Sequence, residues 1–425
     1  MAVQAGFAET DITPPIGTKK IGWLVEVTSE YVLDPICARA AVFECDGERI
    51  GIIQLDTLSV RWTQVNDIRQ RIEASYGFPG ARIMVSATHS HAGPAIANVG
   101  QVPRDDACVE TMTRQVVEVF GQALAARQEA QVGFGSCSEF GAGHNRRVVM
   151  RDGTVRTHGA FNDPNALFME GPIDPEVAVV AARGPGGSLL GALVNFACHP
   201  TAHGPDGAFS AGYPGVVAAR MKESGCPVTL YLNGACGNLH TADPSRGGAD
   251  TPMEEVGAKL AADALGVIEG LAFRDTLRLG SRSQTLHLPY RELTEAEVQG
   301  AVPGVQPFGS ELYKACLPGV LERIRNRGTQ PAEVQVHFLD EYALVAIPAE
   351  YFVECGLRIK EQAYPVHALV TACSNGMIGY VPHQGAFLRG GYETTFMAHS
   401  RMAPQVGDLL ADAALDLIRE EQRHA

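Results

Sequence analysis

The sequence has no excess of positive charge. Its 34 lysines and arginines stand against 48 aspartates and glutamates, a net charge of −14 at pH 7 over 425 residues. With no clustered basic stripe to neutralise phosphates, nucleic acid is not expected as a partner. No uninterrupted apolar run approaches the roughly 20 residues that span a bilayer. The opening stretch, Met1 to Gly17, lacks the basic start and the apolar run of a secretory signal. The expectation is therefore a cytoplasmic protein without stable membrane association. Ten cysteines are scattered with no C-x-x-C pair, so they form neither a zinc ribbon nor a disulfide framework. Several, such as Cys198 and Cys373, sit inside apolar runs and read as buried thiols. Low-complexity tracts and repeats of fixed period are also missing.

What is present is an ordinary folded composition, 45% hydrophobic and 19% charged. Short runs rich in Val, Ile and Leu alternate with longer amphipathic stretches, the pattern of an α/β protein with a mixed sheet layered against helices. Strands are expected at 40–44, 50–55, 82–86, 192–197, 228–232, 342–346 and 368–372. Helices are expected at 63–75, 107–127, 213–224, 252–270, 311–325, 351–361 and 405–420. The glycine-rich segment 133–171 reads as irregular loops. The chain reads as a single unit over 1–425, with a subdomain boundary placed near 277–293, where an exposed β segment is expected.

The residues that can carry chemistry follow the apolar runs. After the strand at 82–86 comes Thr88-His-Ser-His-Ala-Gly-Pro94, in which His89 and His91 are two apart. In extended backbone such residues face the same way, and imidazole pairs suit a metal, although H-x-H also arises by chance. The strand at 192–197 runs into Cys198-His199-Pro200, and the strand at 228–232 into the glycine-rich turn 233–240, which ends at His240 and lets backbone N–H groups approach a ligand. The strand at 342–346 leads to Glu350, which equally fits a first-turn helix carboxylate. The strand at 368–372 leads to Ser374-Asn375 and then Tyr380, which equally fits an interfacial aromatic. Ligands of α/β proteins gather at the carboxyl ends of strands, and a metal site is expected there.

These segments together resemble the neutral/alkaline non-lysosomal ceramidase family. The resemblance rests on Thr88–Pro94, Ala197-Cys-His-Pro200, Pro348-Ala-Glu-Tyr351 and the Ser374–Tyr380 segment, in the family's order. It extends to Thr10-Asp-Ile-Thr-Pro-Pro15, Gln54-Leu-Asp56 and His144-Asn-Arg-Arg147. It implies that His89, His199, Glu350 and Tyr380 hold a catalytic Zn2+, that His91 faces the substrate carbonyl or developing oxyanion, and that Arg146 lies near the reaction centre. Read from the sequence alone, Arg146 is otherwise a surface arginine of a loop.

Departures matter as well. Where ceramidases carry a G-[DN]-x-S-P-N segment with a catalytic serine, this chain reads Gly237-Asn-Leu-His-Thr-Ala242, so His240 replaces the serine. Where many short relatives have an acid, this chain has Gly212. The immunoglobulin-like C-terminal domain of long ceramidases has no counterpart in the sequence. These differences point away from ceramide and towards a small polar substrate. The function expected is a zinc-dependent hydrolase cleaving a small non-peptide amide by activated water, with His91, Arg146, His240 and Tyr380 as catalytic residues. An ester, lactone or glycoside hydrolase on the same zinc is the alternative, as is a catalytically inactive metal-stabilised binding protein. The partner expected is a small-molecule substrate. The sequence does not indicate an oligomeric state.

Overall fold

The computed structural model describes residues 2–23, 25–298 and 310–424. Its architecture is one supersecondary unit built three times. The first comprises strands β1 (Gln4–Asp11), β2 (Cys37–Cys45) and β3 (Glu48–Leu55), helix α1 (Trp62–Tyr76), strand β4 (Ile83–Ala87) and helix α2 (Asp106–Ala125). The second comprises β5 (Gln131–Ser138), β6 (Glu176–Arg183), β7 (Leu189–Phe196), α3 (Tyr213–Glu223), β8 (Thr229–Asn233) and α4 (Met253–Glu269). The third comprises β9 (Leu279–Pro289), α5 (Ser310–Arg327), β10 (Thr329–Leu339), β11 (Tyr342–Ala346), α6 (Val353–Gln362), β12 (His367–Thr371) and α7 (Val406–His424).

In each unit the first three strands form an antiparallel meander, and the fourth joins the third in parallel. A parallel pair needs a crossover, which α1, α3 and α6 supply. The fourth strands β4 and β8 are buried along their whole length, as strands covered on both faces must be. Inner faces of all three sheets share one core, to which Phe43 and Ile52 contribute from the first, Leu193 and Leu230 from the second, and Leu344 and Leu369 from the third. Each outer face packs on its own helices. Ile53 and Val85 meet Val116 and Phe120 of α2, Val194 meets Val217 and Leu260 of α3 and α4, and Val345 meets Ile359 and Leu415 of α6 and α7. The α/β class expected from the sequence is the observed one.

The carboxyl ends of the three fourth strands are tied to one another. Ala87 N donates to Cys373 O at 3.1 Å, Ala372 N donates to Asn233 O at 2.9 Å, and Asn233 Nδ2 donates to Thr88 O at 3.0 Å. Loops from all three units are thereby held around a common point.

Two sequence expectations need correction. Segment 133–171 is not irregular, because it contains most of β5 and the short strands Arg147–Met150, Val155–Thr157 and Ala166–Met169. Glycine hid β5, where Gly133 and Gly135 let Leu271 pack directly on the strand. Glu350 does not open a helix. The Glu350–Tyr351 pair forms a two-residue parallel strand with Tyr380–Val381, and α6 begins only after Phe352. The exposed β segment expected near 277–293 is present as β9, the edge strand of the third sheet, paired along its whole length with β10.

Candidate metal centre and its cavity

Each unit sends one side chain to the common point. His89 follows β4 in the first unit, His199 follows β7 in the second, and Glu350 follows β11 in the third. His89 adopts a left-handed backbone with φ of 70°, a strained conformation for a residue with a side chain and one that concentrates at functional sites. Its Nδ1 lies 2.7 Å from Leu58 O, and His199 Nδ1 lies 2.6 Å from Cys236 O. Both carbonyls require an N–H at Nδ1, so both Nε2 atoms present lone pairs, the arrangement in which second-shell carbonyls orient metal-binding histidines. Those lone pairs aim at a carboxylate, with Glu350 Oε2 3.3 Å from His89 Nε2 and 3.4 Å from His199 Nε2. Acceptors facing acceptors at this distance are held together by a cation or by protons.

Tyr380 completes the group. Its hydroxyl lies 3.4 Å from His199 Nε2, and its backbone pairs in register with Glu350, so the short strand fixes both residues at once. His91 Nε2 lies 3.3 Å from His89 Nε2, and the ligand atoms of His89, His91 and His199 all fall within 4.8 Å of one another. His89, His199, Glu350 and Tyr380 are buried, and His91 is partly exposed towards a cavity. Burial, reinforced by the neighbouring imidazoles, pushes His91 well below the usual histidine range. Burial would raise Glu350, but protons on the facing His89 and His199, in place of a cation, hold it well below the carboxylate range. Burial pushes the Tyr380 phenol up, and the Glu350 charge adds to it.

Arg146 is not a surface residue. It is 4% exposed, and its Nη2 donates to the Tyr380 hydroxyl at 3.1 Å and to Gly237 O at 2.9 Å. Glu393, fully buried, pairs with Arg146 Nε at 2.8 Å and with Arg147 Nη1 at 2.7 Å. Nothing in the sequence around Glu393 signals this role, because its partners lie more than 240 positions away.

His240 lines the same cavity but turns both ring nitrogens to its own surroundings. Ala242 N donates to Nδ1 at 3.0 Å, which leaves the proton on Nε2, 2.7 Å from Thr201 Oγ1. Burial keeps this imidazole neutral by lowering its pKa, although Asp250, 3.2 Å from Nδ1, pulls the other way. His158 stacks edge-on against it with centroids 4.5 Å apart. In the turn 233–240, Gly234 N donates to Phe196 O at 2.8 Å and Leu239 N to Cys236 O at 2.9 Å. Gly237 N donates to Tyr351 O at 2.8 Å, and a Cβ on Gly237 would lie 2.6 Å from Glu350 O, so glycine here allows the turn to press on the Glu350 strand. Gly212, at the start of α3, has φ of 69°, a backbone that favours glycine.

The cavity above the cluster has a volume of about 1750 Å³, and both tryptophans of the chain, Trp23 and Trp62, line it. Sequence reasoning missed Thr201, His158 and Arg61 along its wall, none of which belongs to a recognisable motif.

No protein-family model matches the chain. Neutral ceramidase of Pseudomonas aeruginosa is 25% identical over 176 residues, a match spanning 39% of this chain but only 25% of that protein. The crystal structure of the same neutral ceramidase superposes with a TM-score of 0.75 at 19% identity, covering 99% of this chain and 75% of the other. A ceramidase complexed with C2 gives the same TM-score at 18% identity, over 99% of this chain and 76% of its own. In fold throughout, and in sequence over part of its length, the chain is ceramidase-like.

Proposed function

We propose that the chain is a zinc-dependent hydrolase that cleaves a small amide with water. One observation carries the reading: the Nε2 lone pairs of His89 and His199 meet the Glu350 carboxylate while carbonyls lock both Nδ1 atoms. Two imidazoles, a carboxylate and a phenol with room beside them form a donor set suited to a catalytic zinc. The likeness to neutral ceramidase supports an amide as the scissile bond, since a ceramidase cleaves the amide of ceramide.

His89, His199 and Glu350 would hold the ion, with Tyr380 beside them. When bound, zinc supplies Lewis-acid activation of the carbonyl and of water. The remaining work falls to the chain. Arg146 brings a permanent positive charge to the Tyr380 hydroxyl, and the two together stabilise negative charge developing on the carbonyl oxygen. His91, neutral and on the cavity side, faces the substrate, takes the proton that the attacking water gives up and passes it to the departing amine. His240 stands further along the wall with its Nε2–H on Thr201 and shapes the pocket for a substrate other than ceramide.

Zinc-reconstituted protein assayed on short N-acyl amides and their matched esters tests the reading. Amide turnover that chelation abolishes, with little change in melting temperature, is the expected result. Ester turnover without any amide turnover would reassign the bond, and collapse of the fold on chelation without either activity would make the metal structural.

A further inference from the structure

The cavity holds a second set of charges that the hydrolytic chemistry does not use. Arg61, Arg323, Arg327 and Arg401 all line it. Arg61 precedes α1, only three residues after the carbonyl that orients His89, and Arg323 and Arg327 are one turn apart on α5. Arg401 is 5% exposed. Elsewhere in the fold, buried arginines meet carboxylates: Arg39 has Glu9 and Asp56, Arg69 has Glu333, and Arg147 has Glu170 and Glu393. Among the described residues, none of the four cavity arginines is in an ion pair. Arg61 donates to Met377 O at 3.3 Å. Arg401 donates to Ala398 O and, at 3.3 Å, to Gln330 Oε1, while its Nε is buried with no partner.

An uncompensated guanidinium in a buried wall is costly, and several together repel one another. The strain registers on both inner arginines. Burial lowers Arg61 to about 10, against the opposing charge of Glu350 and with a smaller contribution from Arg323. Burial, then Arg323, Arg61 and Arg327, lowers Arg401 to about 10. The net charge of −14 makes this concentration of cations the more specific, because the carboxylate that acts on Arg61, Glu350, is already engaged by His89 and His199. Planar guanidiniums bind carboxylates and phosphates through paired, charge-assisted hydrogen bonds.

We propose that this wall is the subsite for an anionic group, a carboxylate or phosphate, on the ligand of the cavity. The assignment rests on reading the cavity as the substrate site of the proposed hydrolase, and it names the substrate class: an amide that carries a negative charge away from the scissile bond. Arg401 and Arg61 form the floor of the subsite, and Arg323 and Arg327 close it from α5.

Because Trp23 and Trp62 line the cavity and are the only tryptophans in the sequence, their fluorescence reports occupancy without turnover. Zinc-reconstituted protein is titrated with N-hexanoylglycine, with its uncharged counterpart N-hexanoylethanolamine, with N-hexanoylphosphoethanolamine and with inorganic phosphate. At least one anionic amide is expected to bind about tenfold or more tighter than the neutral one, and the better of the two identifies the charge carrier. Arg323→Gln, at an exposed helix position where folding is not threatened, and Arg401→Gln should each weaken the anion about ten- to hundredfold. Binding of the neutral amide should stay within about twofold in Arg323→Gln. Equal affinity for charged and neutral amides, no saturable signal with any anion, or anion binding untouched in an Arg323→Gln, Arg327→Gln double variant would overturn the subsite. Tight anion binding without hydrolysis of any amide would support the subsite and count against the hydrolase. Hydrolysis of charged and neutral amides alike would do the reverse.

Discussion

Arg146 donates to the Tyr380 hydroxyl at 3.1 Å and is itself held by Glu393 at 2.8 Å, so a fully buried carboxylate behind the cavity wall holds the charge that Arg146 brings to Tyr380. Glu393 serves Arg147 and Thr157 as well, at 2.7 and 2.9 Å. Removing that charge takes from buried Arg146 its carboxylate partner and leaves Arg147 with Glu170 alone.

Glu393→Gln should therefore cost about 3–5 kcal/mol of stability, the range for breaking one side of a buried ion pair. Urea unfolding of the variant measures it. Turnover should fall too, because Arg146 loses the partner that aims it. A loss below about 1 kcal/mol would mean that the network is not what holds Arg146.

His91→Ala should keep its zinc and lose turnover by about 10²- to 10³-fold, the range for one lost transition-state donor. Parallel metal analysis and rate measurement separate the two effects. Loss of zinc in this variant would instead make His91 a ligand, which its 3.3 Å approach to His89 Nε2 also permits.

His240→Asn retains a polar group but not an imidazole, and His240→Ser restores the residue type of the ceramidases. Both should lower turnover on the true substrate, with the loss appearing mainly in KM if His240 shapes the pocket. Unchanged kinetics in both variants would reduce His240 to a packing residue held by Thr201 and Ala242.

Acid stability has a contributor far from the site. Burial, with Arg69 nearby, lowers buried His337 from 6.5 to about 3. Below pH 6.5 the unfolded chain takes up a proton that the folded chain refuses, so this contribution is present above pH 6.5 and lost as pH falls towards 3. At pH 4.5 it amounts to about 2–3 kcal/mol. His337→Met should narrow the difference in unfolding free energy between pH 7 and pH 4.5 by about that amount. An unchanged difference would show that His337 is protonated in the fold.

The site was legible in the sequence where it followed apolar runs. His89, His199, Glu350 and Tyr380 each trail a strand that is buried on both faces, and such strands announce themselves as continuous Val, Ile and Leu. The sequence was opaque where packing, not pattern, makes the element. Strand β1 carries Gln4, Gly6 and Glu9, β5 is interrupted by glycines, and β6 is rich in alanine, so none reads as a strand. The threefold plan was hidden for a related reason. The units begin at Gln4, Gln131 and Leu279, with insertions of different length, so no fixed period links them. Glu393, Arg61 and Arg401 could not be found at all, since only the fold brings them to the residues they serve.

The central claim is that three units each contribute one ligand to a single zinc. Zinc bound per chain after reconstitution, measured on the parent protein and on His89→Ala, His199→Ala and Glu350→Ala confirmed as folded by circular dichroism, tests it most directly. One equivalent in the parent and strong depletion in all three variants, with Tyr380→Phe retaining most of its metal, is expected. A parent that binds no zinc, or a full equivalent in any one of the three alanine variants, would contradict it.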